Sequence, residues 1–130
     1  MASWRAAPGS VERVRGEASV PVAERGWEAT LVHEDGAQRG TCLDISPDRI
    51  DLSMPKRRTR PGAVVGVVLS VPGVGPLYGR ARVHPEARSG GRVALRWIGL
   101  SARLEHFISA LLAAHEARLR EALRLRRLTT

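Results

Sequence analysis

Short stretches of alternating apolar and polar residues follow one another along most of this chain. Alternation with a period of two is typical of β-strands that bury one face. Strands are predicted at 18–22, 27–33, 38–45, 50–54, 77–84 and 92–98, and a valine-rich apolar run predicts a buried strand at 63–71. The first of these contains Pro21, which places it at a sheet edge because proline has no N–H to donate. Between the second and third lies Asp35-Gly36, a pair favoured in hairpins whose turn residues both take a positive φ.

Six or seven short strands joined by turns predict a mainly-β fold. An antiparallel sheet of this kind must hide its edges, and a small antiparallel six- to seven-stranded β-barrel does so. At 130 residues the chain is long enough for one domain with one core. Residues 1–16 carry few apolar positions and are predicted to form a flexible N-terminal arm. The barrel and the start of the following helix are expected to occupy 17–112.

From Ser101 onwards the apolar period becomes that of a helix. Residues such as Leu104, Ile108 and Leu111 fall on one face, and Ser101 suits the N-cap. The prediction is a long C-terminal helix over 101–128, of which the barrel covers about the first half. In the distal half, Leu119 and Leu123 lie among arginines, which predicts contact with a protein partner or a second copy of the chain. A solvated tail is the alternative.

The charge balance is strongly basic. Lys and Arg total 21 against 13 acidic residues, for a net charge of +8, and Lys56 is the single lysine. The planar guanidinium group of arginine suits phosphate, guanine or acidic protein partners. A codon bias toward arginine explains the excess of arginine over lysine equally well. One basic run lies in a loop bracketed by prolines, 55–62, and its side chains are candidate partner contacts: Lys56, Arg57, Arg58 and Arg60.

Other features bear on location and on catalysis. No apolar run approaches the roughly 20 residues that span a bilayer, and the single cysteine, Cys42, allows no intrachain disulfide, so a cytoplasmic protein is expected. Ser46 has Asp44 nearby but no histidine placed to activate it. The four histidines lack the spacing of metal ligands: His33, His84, His106 and His115. We therefore expect no enzyme, no metal and no resident cofactor.

Asp44-Ile45-Ser46, with Arg49 three residues after Ser46, stands some thirty residues downstream of the Arg-bearing segment 11–15. This layout resembles the PilZ domain, a small bacterial β-barrel module whose best-known ligand is cyclic di-GMP. That family carries Arg-x-x-x-Arg followed by Asp/Asn-x-Ser-x-x-Gly. The order of weaker features agrees over roughly 11–112: the Pro61-Gly62 entry into a valine-rich strand, the segment 92–97 and a C-terminal helix.

The resemblance implies a binding site for the dinucleotide, and this chain departs from its pattern. Arg15 takes the place of the second arginine, whereas Val11 stands where the first belongs. Asp44 and Ser46 match, and Arg49 replaces the final glycine. The candidate ligand-binding residues, if the site is retained, are Arg13, Arg15, Asp44, Ser46 and Arg49. Since about half of the motif survives, we expect cyclic di-GMP binding to be weak or lost.

The favoured function is a PilZ-like regulatory or adaptor domain in bacterial signalling, of the kind that serves motility or surface behaviour. It would act through protein contacts, with homo-oligomerisation through the C-terminal helix as one form of them. The alternative is a cyclic di-GMP receptor in which Arg13 or Arg49 replaces the missing arginine. A nucleic-acid-binding barrel ranks last, because aromatic residues, on which single strands stack, make up only 4% of the chain.

Overall fold

The computed structural model describes residues 5–6, 19–55, 59–85 and 91–129. Among these residues, eight strands, one 3-10 helix and one α-helix follow one another. The strands are β1 (Arg5–Ala6), β2 (Val20–Pro21), β3 (Glu28–His33), β4 (Gly36–Ile45), β5 (Arg49–Ser53), β6 (Val64–Val71), β7 (Gly75–Val83) and β8 (Arg92–Leu100). The 3-10 helix is Ala23–Arg25 and α1 is Ala102–Thr129.

Six of these strands close into an antiparallel barrel. The order around the ring is β3-β4-β5-β8-β7-β6, and β6 pairs with β3 to complete it. The two shortest strands lengthen its wall: β1 pairs with the end of β8, and β2 with the end of β4. The prediction of a mainly-β, six- to seven-stranded antiparallel barrel with a long C-terminal helix is confirmed.

Two local predictions differ from the structure. The first predicted strand, 18–22, is reduced to Val20–Pro21 among the described residues, because Pro21 donates no hydrogen bond and the chain turns into the 3-10 helix directly afterwards. The expectation of two positive φ angles at Asp35-Gly36 is wrong. Gly36 has φ 132°, whereas Asp35 does not take a positive φ, and His33 pairs directly with Gly36 across a Glu34-Asp35 loop.

The core fills the inside of the barrel. Every second residue is buried in β6 and β7, so the alternation there marks the inner face. Cys42 belongs to the core and is fully buried. Burial raises the pKa of its thiol to about 12, and the negative charges of Asp44 and Asp51 add to the effect. The cysteine is therefore an inert core side chain.

The start of α1 packs on the barrel. The Leu104 backbone N–H donates to the Ser101 hydroxyl at 3.2 Å, which confirms the N-cap. Leu104 and Ile108 are fully buried, and the next apolar residues on this face are partly buried. Beyond them the leucines face solvent, with 51–70% of their surface exposed: Leu119, Leu123, Leu125 and Leu128. None of the described helices combines the length and the apolar character that a bilayer crossing requires.

A glycine in β7 allows this close packing. A Cβ added to Gly79 would lie 2.6 Å from Trp97 Cζ3 and 3.0 Å from Leu104 Cδ2. Both distances are shorter than carbon contacts in a packed interior. The missing side chain of Gly79 is thus the space that the Trp97 ring and the first turn of α1 occupy.

The two ends of the barrel carry different loops. The β4–β5 turn and the start of α1 lie at one end; the β3–β4 hairpin and the β5–β6 connection lie at the other. Because β5 and β6 are three places apart in a ring of six, this connection joins strands on opposite sides of the barrel. Thr59 in this connection is buried and Arg60 is exposed. The remaining basic residues of the predicted loop, Lys56, Arg57 and Arg58, lie outside the described residues.

Candidate functional site

The predicted motif forms the turn between β4 and β5. The Ser46 backbone N–H donates to the Arg49 carbonyl at 2.9 Å, which closes a loop of two residues, Pro47 and Asp48. The Ser46 hydroxyl accepts from the backbone N–H groups of Asp48 at 3.3 Å and Arg49 at 3.1 Å. It also lies 3.4 Å from the Arg49 carbonyl, to which it donates. A serine at the first position of a turn commonly bonds in this way.

The turn is fastened to β8 from inside the barrel. Trp97 donates its indole N–H to the Ser46 carbonyl at 3.1 Å. Its backbone N–H donates to the Asp48 carbonyl at 2.9 Å. Both Ser46 and Trp97 are 3% exposed. The hydroxyl and the carbonyl of Ser46 are thus both occupied within the protein, and the hydroxyl serves the turn rather than an outward surface.

Asp44 lies directly opposite Asp51 on the outer side of the same hairpin. A shift of register between Cys42 and Asp44 precedes this pair. Asp51 is 7% exposed, and its Oδ2 lies 3.6 Å from Arg49 and 3.5 Å from Arg92. Among the described residues, the Oδ1 atoms of Asp44 and Asp51 are buried without a hydrogen-bond partner. Two ionised carboxylates opposite each other in this way repel one another.

The surroundings of Asp44 favour its protonated form. Burial raises the pKa of its carboxyl, and the negative charge of Asp51 raises it further. The cations of Arg49 and Arg92 oppose both effects in part. The carboxylate form, which would accept hydrogen bonds from guanine N–H groups, is therefore less favoured here than in a solvated aspartate.

The predicted site residues divide into separate places. Asp44, Ser46 and Arg49 come together at the β4–β5 turn, where the Arg49 guanidinium contacts Asp51 and remains 44% exposed. Arg60 lies at the opposite barrel end, and Leu119 and Leu123 lie on the distal part of α1. Arg13 and Arg15 lie outside the described residues, as does the predicted arm 1–16 apart from Arg5–Ala6, which pair with β8.

Three residues of this arrangement were missed from the sequence: Asp51, Arg92 and Trp97. The signal for Asp51 was present in the hairpin register. A two-residue loop at Pro47-Asp48 places Ile45 opposite Ile50, and hence Asp44 opposite Asp51. Arg92 and Trp97 belong to β8, and only the pairing of β8 with β5 brings Arg92 to Asp51 and Trp97 to the turn.

Two comparisons with known proteins, one with family models and one with curated proteins, were made. No protein-family model matches the chain, and none of the curated proteins matches it.

Among the described residues, no group of three or more His, Cys, Asp or Glu side chains is arranged to hold a metal ion. The candidate site therefore consists of an acid pair, Asp44 and Asp51, flanked by Arg49 and Arg92 beside a turn that Ser46 closes and Trp97 anchors.

Proposed function

We propose that this protein is a PilZ-like regulatory module of the bacterial cytoplasm that works through protein contacts and binds cyclic di-GMP weakly or not at all. The process it serves would be signalling of the kind that controls motility or surface behaviour. The observation that carries the proposal is the internal use of the motif turn. The Ser46 hydroxyl bonds to the backbone of its own turn, and the guanidinium of Arg49 contacts Asp51.

The reasons for weak dinucleotide binding are local and physical. A ligand that recruits the Ser46 hydroxyl must compete with two backbone donors. At the position where the family has glycine, Arg49 adds a long side chain beside the backbone that a ligand would approach. Asp44, the guanine acceptor of the resemblance, has a raised pKa. Each effect opposes the same ligand at the same turn.

Support for protein contacts comes from the exposed leucines of α1. At 51% and 52% exposure, Leu119 and Leu123 lie on the helix face that packs on the barrel further upstream. Exposed apolar side chains in a row are typical of surfaces that bind another protein. The same face is suited to a second copy of this chain, and Arg60 offers a cation at the far end of the barrel.

The test is calorimetric titration with cyclic di-GMP at low and at moderate salt. We expect no saturable heat in the micromolar range from the natural sequence. The double variant Val11→Arg with Arg49→Gly rebuilds both family motifs, and we expect it to gain binding; Arg49→Gly alone is the matched control. Saturable micromolar binding by the natural sequence would instead make the protein a receptor with a rebuilt site and end the proposal.

A further inference from the structure

Three arginines lie side by side on the outer wall of the barrel. In the strand register, Arg49 of β5 is opposite Arg96 of β8, and Arg96 is opposite Arg82 of β7. All three are exposed. Core residues stand next to them in sequence, so their side chains share the outer face: Ile50, Ala81, Val83, Leu95 and Trp97. We call Arg49, Arg96 and Arg82 the arginine row.

Positive charge in this row is only partly compensated. Neighbouring strands lie about 4.8 Å apart, and like charges directly opposite one another are destabilising. Arg49 lies 3.6 Å from Asp51, and Arg82 donates to the Gly62 carbonyl at 3.0 Å. Within the described part of the chain, Arg96 makes no ion pair, and its neighbours across both strands are arginines. An anionic partner would relieve this repulsion.

The row ends in an apolar residue. Val64 of β6 is opposite Arg82 and is 39% exposed, and Tyr78, further along β7, is 49% exposed. Arginine and tyrosine beside apolar surface are typical of protein interfaces. Trp27 and Trp97 are buried, so this wall does not offer the series of exposed rings on which a single nucleic-acid strand stacks.

The shape of the wall also limits the partner. Small ligands are usually held in concave sites that enclose most of their surface, whereas the outer wall of a closed barrel is convex. A partner that lies along it must reach across several strands. Three cations followed by a valine thus favour an extended protein segment that presents carboxylates and one apolar side chain.

We propose that the arginine row and Val64 bind an acidic segment of a partner protein. Its carboxylates pair with Arg49, Arg96 and Arg82, whose planar forks suit bidentate contacts, and an apolar side chain covers Val64. This inference rests on the proposed function as a protein-contact module and names the chemistry of the partner. The surface is separate from the distal leucines of α1.

The experiment measures fluorescence anisotropy of a labelled peptide of alternating glutamate and leucine titrated with the full chain. We expect saturable binding that weakens as salt rises. Arg96→Gln should weaken it roughly threefold, and Arg82→Gln with Arg96→Gln roughly tenfold, since each exposed ion pair contributes modestly and two separate pairs add. Arg120→Gln on α1 changes the net charge equally and is the matched control. Equal losses for Arg96→Gln and Arg120→Gln would overturn the inference.

Two further arms separate the competing explanations. An oligonucleotide of the same charge as the peptide should bind more weakly; tighter binding that also depends on Arg96 would assign the row to nucleic acid and overturn the inference. Cyclic di-GMP is titrated into the same samples. Saturable binding heat from the dinucleotide, measured by calorimetry, contradicts the proposed function alone. Peptide binding that is unchanged when the arginines of the row are replaced contradicts the docking surface alone. Thermal unfolding of Arg96→Gln should show unchanged or increased stability, since one repelling charge is gone.

Discussion

The indole N–H of Trp97 donates to the backbone carbonyl of Ser46 at 3.1 Å, which joins the last strand of the barrel to the β4–β5 turn. Trp97 is a core residue, so the bond forms on the inside, away from solvent. Buried hydrogen bonds that lose one partner leave the other unsatisfied at a cost of about 1–3 kcal/mol. We therefore expect substitutions at this turn to change stability before they change any outward property.

Ser46→Ala should lower the free energy of unfolding by about 1–2 kcal/mol, because the backbone N–H groups of Asp48 and Arg49 lose their shared acceptor. Urea denaturation measures this change. Ser70→Ala, on the exposed outer side of β6, is the control and should stay within about 0.5 kcal/mol of the natural protein. If the two variants are equally stable, the turn does not depend on the Ser46 hydroxyl.

Asp44→Asn should make the protein more stable at neutral pH. The pKa of Asp44 is raised in the folded state by burial and by Asp51, so the folded protein binds this proton more tightly than the unfolded chain. The free energy of unfolding then falls as pH rises from the ordinary aspartate range through the raised pKa. The asparagine variant has no proton to lose there, and its stability should depend less on pH.

Denaturation curves across the acidic range, repeated at neutral pH, test whether the free energy of unfolding falls as pH rises. Asp35→Asn in the exposed β3–β4 loop is the control and should follow the natural protein. A variant Asp44→Asn that is less stable than the natural protein at neutral pH would show that the Asp44 carboxylate is stabilising, contrary to the expectation.

Gly79→Ala should destabilise the protein by about 1–3 kcal/mol, because the new methyl group overlaps the Trp97 ring and Leu104. Thermal unfolding monitored by tryptophan fluorescence reports both the loss and the changed surroundings of Trp97. Gly66→Ala is the matched control in a neighbouring strand, since its added carbon lies 3.7 Å from Val32, an ordinary contact. Equal melting temperatures for the two variants would contradict the close packing of Trp97 and Leu104 on Gly79.

Truncation after His115 should leave the barrel folded, with a free energy of unfolding within about 1 kcal/mol of the full chain, because it removes leucines that are already exposed. Leu104→Ala, by contrast, should cost about 2–5 kcal/mol, since Leu104 is fully buried. Urea denaturation of the truncated chain and of the Leu104→Ala variant measures both changes in the free energy of unfolding.

The same truncation tests assembly. We expect the full chain to self-associate with rising concentration, and more so at moderate salt, because the five arginines and two glutamates of 116–128 give two copies a mutual repulsion that salt screens. Light scattering should show the truncated chain as a monomer. An unchanged oligomeric state would remove the distal part of α1 from the list of contact surfaces.

Much of the fold follows from local patterns in the sequence. A valine-rich apolar run placed β6 at 63–71 against Val64–Val71, and alternation placed β7 at 77–84 against Gly75–Val83. Both signals lie within the strand itself. The N-cap at Ser101 is equally local. The order of strands around the ring does not follow from local patterns, because alternation shows which face of a strand is buried but not which strand lies beside it.

The candidate site was predicted only where it depends on neighbours in sequence. The turn at Ser46 is local chemistry and was expected. Asp51 was passed over because a carboxylate on an outer face is usually solvated, and only the register against Asp44 makes it a buried acid. The arginine row is a product of two strand pairings, β5 with β8 and β8 with β7, so its members appear in the sequence as unrelated surface residues.

The position of β8 in the ring has a consequence for biosynthesis. β8 is the last of the described strands and pairs with β5 on one edge and β7 on the other. A nascent chain that lacks 92–100 therefore holds two open sheet edges, which are sites of unwanted pairing. The barrel can close only after translation has passed this strand, and contacts so distant in sequence form slowly. Chaperone protection of the unfinished barrel would matter most in this interval.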